Sequence, residues 1–111
     1  MGVPVLPDRA EPYRRTLVFT EATVPRALLR GHSTKEGAWA VIHVLDGQLV
    51  YRVTDPRRSR WECVLTPRTL PAVIEPTILH EVEPRGSVRF FVEFYRRATS
   101  ARASLEEARN R

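Results

Sequence analysis

The chain has 111 residues, 42% of them apolar and 28% charged, with a formal net charge of +5 at pH 7. That length predicts a single domain, because a core this small does not divide. The composition excludes a membrane span, since no apolar run approaches the roughly 20 residues that cross a bilayer. One cysteine excludes an internal disulfide framework, and the N-terminus lacks the basic and apolar segments of a secretory signal, so a cytoplasmic location is expected. All but one of the eighteen basic residues are arginine, and they are scattered. The aromatics fall in apolar strand patterns and do not interleave with basic residues, so no nucleic-acid partner is expected.

Residues 1–15 hold Pro4, Pro7 and Pro12 with little periodicity and read as an extended arm or loop. Thr16–Thr20 is a short strand candidate. Arg26–Arg30 begins beside Pro25 and is expected to be an edge strand. Trp39–Leu45 and Gln48–Val53 flank Asp46-Gly47, the dipeptide that most favours a tight turn, and are predicted to form a hairpin. Asp55–Ser59 is a turn, Arg60–Leu65 a strand, and Thr66–Pro71 a loop. Ala72–Ile74 and Ile78–Val82 are short strands separated by Pro76, and Pro84-Arg85-Gly86 closes the second of them. Val88–Tyr95 is the longest aromatic strand. Ser104-Leu105-Glu106-Glu107 has capping-box spacing and predicts a short polar helix in the tail. About eight short strands at regular spacing, with no strand-helix alternation, predict an all-β sandwich or barrel.

Within that pattern His32-Ser33-Thr34-Lys35-Glu36-Gly37-Ala38-Trp39 and Val44-Leu45-Asp46-Gly47-Gln48-Leu49 resemble the cupin-like domain at the N-terminus of some tellurite-resistance methyltransferases. Ile74-Glu75-Pro76, followed by Leu79-His80 and Val82, is similar to the second cupin motif, in which a proline-containing turn places a histidine on a strand. The resemblance covers about residues 13–96, flanked by an arm (1–12) and a polar tail (97–111). It implies a single-domain cupin, a double-stranded β-helix or jelly-roll barrel. The sequence departs from the metal-dependent pattern in two places. Thr34 stands where a second histidine belongs, and Ala40 lies nearest the expected glutamate. The resemblance is to the cupin-like domain and not to the methyltransferase domain, so methyl-transfer chemistry is not expected of these residues.

The resemblance sets His32 and His80 facing each other across the barrel interior, where two imidazoles can share an ion. Glu36, on the same alternation as His32, or Glu75, five residues before His80, would add a carboxylate. Water would complete an open site for a divalent transition metal, Zn, Fe or Ni. Lys35 at the barrel mouth would attract an anionic guest such as an oxyanion or small carboxylate, and Trp39 would floor the pocket. His43 is expected on the outer face with Trp39, Val41 and Leu45, opposite Ala40, Ile42 and Val44. Cys63 is expected to face inward as an unreactive thiol. Three function classes follow: a metal-dependent enzyme, a non-catalytic binder of a metal or oxyanion, and a structural module with an empty barrel. Both faces of Val88–Tyr95 carry aromatics and need cover, which either the N-terminal arm or a second subunit would supply, and a homodimer is expected.

Overall fold

The structure, a computed structural model, describes residues 3–98. It is built from six antiparallel strands: β1 (Ala10–Arg15), β2 (Phe19–Thr20), β3 (Trp39–Val53), β4 (Trp61–Leu65), β5 (Ala72–Ile74) and β6 (His80–Arg97). They form one sheet in the order β1-β6-β3-β4, with β2 added to β6 and β5 added to β3. A 3₁₀ turn covers Arg26–Leu29. The expected tail helix at Ser104–Glu107 lies outside the described residues. Among the described residues no helix is long and apolar enough to cross a membrane.

The spine of the fold is the pairing of β3 with β6, which runs from Trp39↔Tyr95 to Val53↔His80. The hairpin expected at Asp46-Gly47 is therefore corrected: Trp39–Leu45 and Gln48–Val53 are two halves of one strand. The Ile78–Val82 and Val88–Tyr95 segments likewise join into β6. Gly47 adopts φ 80° and Gly86 φ 68°, but both serve bulges where the register shifts. Leu45 is an extra residue on β3, and Gly86 and Ser87 are extra on β6. A β-carbon on Gly47 would stand 2.0 Å from the Ser87 carbonyl oxygen, so only glycine permits the two backbones to cross this closely. The bulge also changes the phase of β3. Ala40, Ile42 and Val44 point inward before it, and Leu49, Tyr51 and Val53 after it.

Those residues pack with Leu65, Ile74, Ile78, Val82, Val88, Phe90 and Val92 into a continuous core. On the opposite face Phe91 is nearly buried: the His43 ring stacks on it at 4.7 Å and the Arg15 guanidinium lies 3.7 Å from its centre. The arm supplies that arginine, because Ala10–Arg15 is a strand on the edge of β6 and not a loop. Pro12 is tolerated there because an edge strand uses only half its hydrogen-bonding groups. Of the two expected sources of cover, the arm thus supplies part.

Two further corrections concern short elements. Thr16–Thr20 is a strand only at Phe19–Thr20. Thr16 meets β6 outside a strand, its N–H donating to the Val92 carbonyl and its Oγ1 accepting the Val92 N–H, each at 2.9 Å, while Leu17 is left exposed. The expected edge strand at Arg26–Arg30 is instead the 3₁₀ turn Arg26–Leu29. Leu28 and Leu29 both pack on the core, whereas a strand would send adjacent side chains to opposite faces.

Candidate functional site

His32 and His80 form an isolated antiparallel bridge. Each backbone N–H donates to the other's carbonyl, at 2.7 and 2.8 Å. In such a pair the two side chains rise from the same face at directly opposed positions, and the rings meet edge to face with centroids 5.5 Å apart. His80 is 1% exposed. The Ile78 carbonyl lies 3.0 Å from Nδ1 and can only accept, so Nδ1 carries the proton. Nε2 is left with its lone pair and no hydrogen-bond partner among the described residues. Burial lowers the His80 pKa, the Ile78 carbonyl opposes that shift, and His32 adds to it. His80 is a neutral imidazole near pH 7.

The lead-in to β6 is held by Asp55, whose side chain is almost fully buried. Its carboxylate accepts from the Leu79 N–H at 2.9 Å, from the Arg57 N–H at 2.8 Å, and from the Arg57 guanidinium. Arg57 also donates to the Thr77 carbonyl at 2.7 Å, which steadies a residue held at φ 65°. The Arg57 side chain, then the Leu79 and Arg57 N–H groups, hold the Asp55 carboxyl far below its ordinary range. On the other side Thr34 donates through Oγ1 to the Ala38 carbonyl at 2.7 Å and accepts the Thr77 N–H on its own carbonyl. The threonine at the place of a second histidine therefore ties the His32 loop to the turn before β6.

The two imidazoles open on a cavity of about 210 Å³. Phe19, Leu28, Ile42, Phe90, Val92 and Phe94 make its apolar walls, and Arg14 is the one charged side chain in the lining. The remaining residues expected at a site lie elsewhere. Lys35 and Glu36 are exposed in a turn closed by the Ala38 N–H on the Lys35 carbonyl. Glu75 is held by the Arg58 guanidinium at 3.1 and 3.2 Å and lines a different cleft. Trp39 sits opposite Tyr95, and its neighbours Ala38 and Ala40 are the buried ones, so it takes the outer face. Cys63 is half-buried against the core, which pushes its thiol pKa up.

The expected ligand set of His32, His80, Glu36 and Glu75 is thus not assembled. Among the described residues no group of three or more His, Cys, Asp or Glu side chains is placed to hold a metal ion. The two histidines alone do not fit such a site, since no carboxylate lines their cavity. Sequence reasoning also missed the walls of Phe19 and Leu28 and the Asp55 clamp. Only the clamp had a signal, an Asp opening a proline turn with an arginine two residues on.

Antiparallel strands curled over a mostly apolar cavity with a polar floor define a small, mostly β domain. Residues 14–92 match the TehB-like domain, and the chain belongs to that family. It is 32% identical over 72 residues to the probable S-adenosyl-L-methionine-dependent methyltransferase TehB of Haemophilus influenzae (strain ATCC 51907 / DSM 11121 / KW20 / Rd), covering 64% of this chain and 25% of that protein. A counterpart from strain 10810 is 31% identical over the same length. The chain spans about a quarter of the length of these curated relatives. The crystal structure of TehB from H. influenzae superposes with a TM-score of 0.75 at 25% identity, covering 82% of this chain and 32% of that one. A protein from E. coli (strain K12) superposes with the same TM-score at 18% identity, covering 87% of this chain and all of the other. The reading as a metal-binding cupin with an anionic guest is overturned. The family is that of a domain found in S-adenosylmethionine-dependent methyltransferases, and the metal ligands do not converge.

Proposed function

We propose that the chain is a non-catalytic binding module of a TehB-type methyl-transfer system, taking up a small uncharged molecule that such a methyltransferase accepts or releases. The observation that carries this reading is the neutral His80 with a free Nε2 at the floor of a mostly apolar cavity. A cavity of about 150 Å³ takes benzene, so one of 210 Å³ suits a guest of about one ring. That is too small for an acceptor together with an adenosyl cofactor. The free lone pair selects a guest that donates one hydrogen bond, and walls that are apolar apart from Arg14, Thr16 and Thr34 favour an uncharged guest. The curled sheet is read as the cupin type of barrel, a reading supported by the bends at Gly47 and Gly86. The lone unpaired cysteine supports a cytoplasmic setting.

Phenol, benzene and benzoate test this as probes of one size. Phenol is expected to shift the His80 imidazole nitrogen resonances and to raise the thermal midpoint. Benzene is expected to do less, and benzoate nothing. His80→Phe is expected to erase the preference for phenol over benzene. If no ring-sized probe perturbs His80 or Phe90, or if benzoate binds best, the proposal fails.

A further inference from the structure

A second and larger cleft has a volume of about 590 Å³, within the range of about 300–1,000 Å³ that small-molecule pockets occupy. Tyr51 and Trp61 meet edge to face at 5.6 Å in its wall, and Val53 and Ile78 continue an apolar surface. Tyr51 lines this cleft and His80 lines the smaller cavity, their ring centres 5.9 Å apart. Val3 and Pro4 form another wall. Among the described residues, 3–6 make no backbone hydrogen bond to the sheet, so a guest can displace that wall without breaking a strand pair.

The polar groups of the cleft are not equally satisfied. Tyr51 is 2% exposed, yet among the described residues its hydroxyl has no hydrogen-bond partner. A buried phenol ordinarily finds one. Burial, then Cys63 and Glu75, push the Tyr51 pKa up, so the oxygen keeps its proton and presents a donor. The nearby Glu75 carboxylate is engaged elsewhere, because the Arg58 guanidinium holds both of its oxygens, at 3.1 and 3.2 Å. Arg58 and Glu75 are the two charged side chains of the lining, and their charges cancel. A lining without net charge gives no field to hold an ion away from water.

Water reaches the hydroxyl through the open cleft, and a guest that displaces it must supply an acceptor or lose affinity. A cavity of about 150 Å³ takes one benzene, so two or three fused rings fit here and leave the mouth open. We propose that this cleft binds a neutral, flat heteroaromatic molecule whose ring nitrogen or carbonyl accepts a hydrogen bond from the Tyr51 hydroxyl. The site is independent of the His80 cavity and selects the opposite polarity: there the guest donates, and here it accepts.

Quinoline, naphthalene and N-methylquinolinium test this on the full chain at pH 7.5. They share one shape; the first carries an acceptor, the second has none, and the third is a cation. The readout is the indole N–H resonance of Trp61, told from that of Trp39 by Trp39→Phe. Quinoline is expected to shift it, and N-methylquinolinium to leave it unmoved. Tyr51→Phe removes the hydroxyl and keeps the ring. It is expected to weaken quinoline about fivefold, the worth of one hydrogen bond, and to leave naphthalene as tight or tighter. The thermal midpoint of the free variant is expected to stay level or rise, because no protein partner is lost. Val73→Phe, at a half-buried position of the lining, is expected to fill the cleft and weaken both probes at least tenfold. No Trp61 shift with quinoline, an equal effect of Tyr51→Phe on quinoline and naphthalene, indifference to Val73→Phe, or tightest binding by the cation overturns the proposal.

Discussion

At the scale of single residues, position and protonation are set by a few backbone groups. His80 keeps its Nδ1 proton because the Ile78 carbonyl can only accept, and its burial disfavours the cation. Its folded pKa lies below the unfolded value of about 6.5. The unfolded chain therefore binds more protons in the window below that value. This contribution to stability is complete above about pH 6.5 and is lost as pH falls toward the folded pKa. Urea midpoints at pH 7.5 and 5.5 check this: the wild type is expected to lose stability on acidification, and His80→Gln to lose less. Asp55, with a depressed pKa, has linkage of the same sign in a more acidic window. Its contribution is present above the unfolded value of about 3.9 and falls away below it. Asp55→Asn is expected to flatten the acid limb of the stability curve and to weaken the nuclear Overhauser contact between the two histidine rings. Gly47→Ala puts a side chain where φ is 80° and 2.0 Å from the Ser87 oxygen. The left-handed conformation alone costs about 1–2 kcal/mol. With the clash added, a loss of more than about 2 kcal/mol is expected in denaturant unfolding.

At the scale of elements, the two long strands account for what local signals misjudged. Asp-Gly is a strong hairpin signal, yet the pairing of β3 with β6 along both halves offers far more burial than a two-residue turn, and the same glycine serves a bulge. The arm was illegible as a strand for another reason. Ala10–Arg15 pairs on one side only and is mostly exposed, so it carries no alternation to read. Its continuation is held by Thr16, whose hydroxyl and N–H stand in for strand pairing at Val92. Thr16→Val removes one such bond and is expected to cost about 1 kcal/mol, with faster amide exchange at Val92. Phe90, fully buried between β2 and the cavity, is expected to cost about 3–5 kcal/mol as alanine.

At the scale of the whole molecule, β4 ends the sheet order, and Val64 on it is 36% exposed. An unpaired strand edge is a template for a second chain. Pairing of two copies along β4 predicts a homodimer that Val64→Lys dissociates, as measured by sedimentation. A wild-type monomer across micromolar concentrations counts against it.

The sequence alone determined the β class and most strand positions, because an alternation of apolar and polar residues reports burial without knowing its partner. The resemblance to the cupin motifs, and not spacing, singled out His32 and His80 as residues to bring together. What the sequence could not decide was everything resting on contacts between distant segments. Lys35, Glu36 and Glu75 were near the histidines in sequence, but a strand reverses its facing at each residue and a loop reverses it again. An exposed turn took the first two, and Arg58 took the third. The cavity walls came from Phe19 and Leu28, which no spacing ties to His80. Only the closure of the sheet placed them there, because burial is a property of the fold and adjacency in the chain does not carry it.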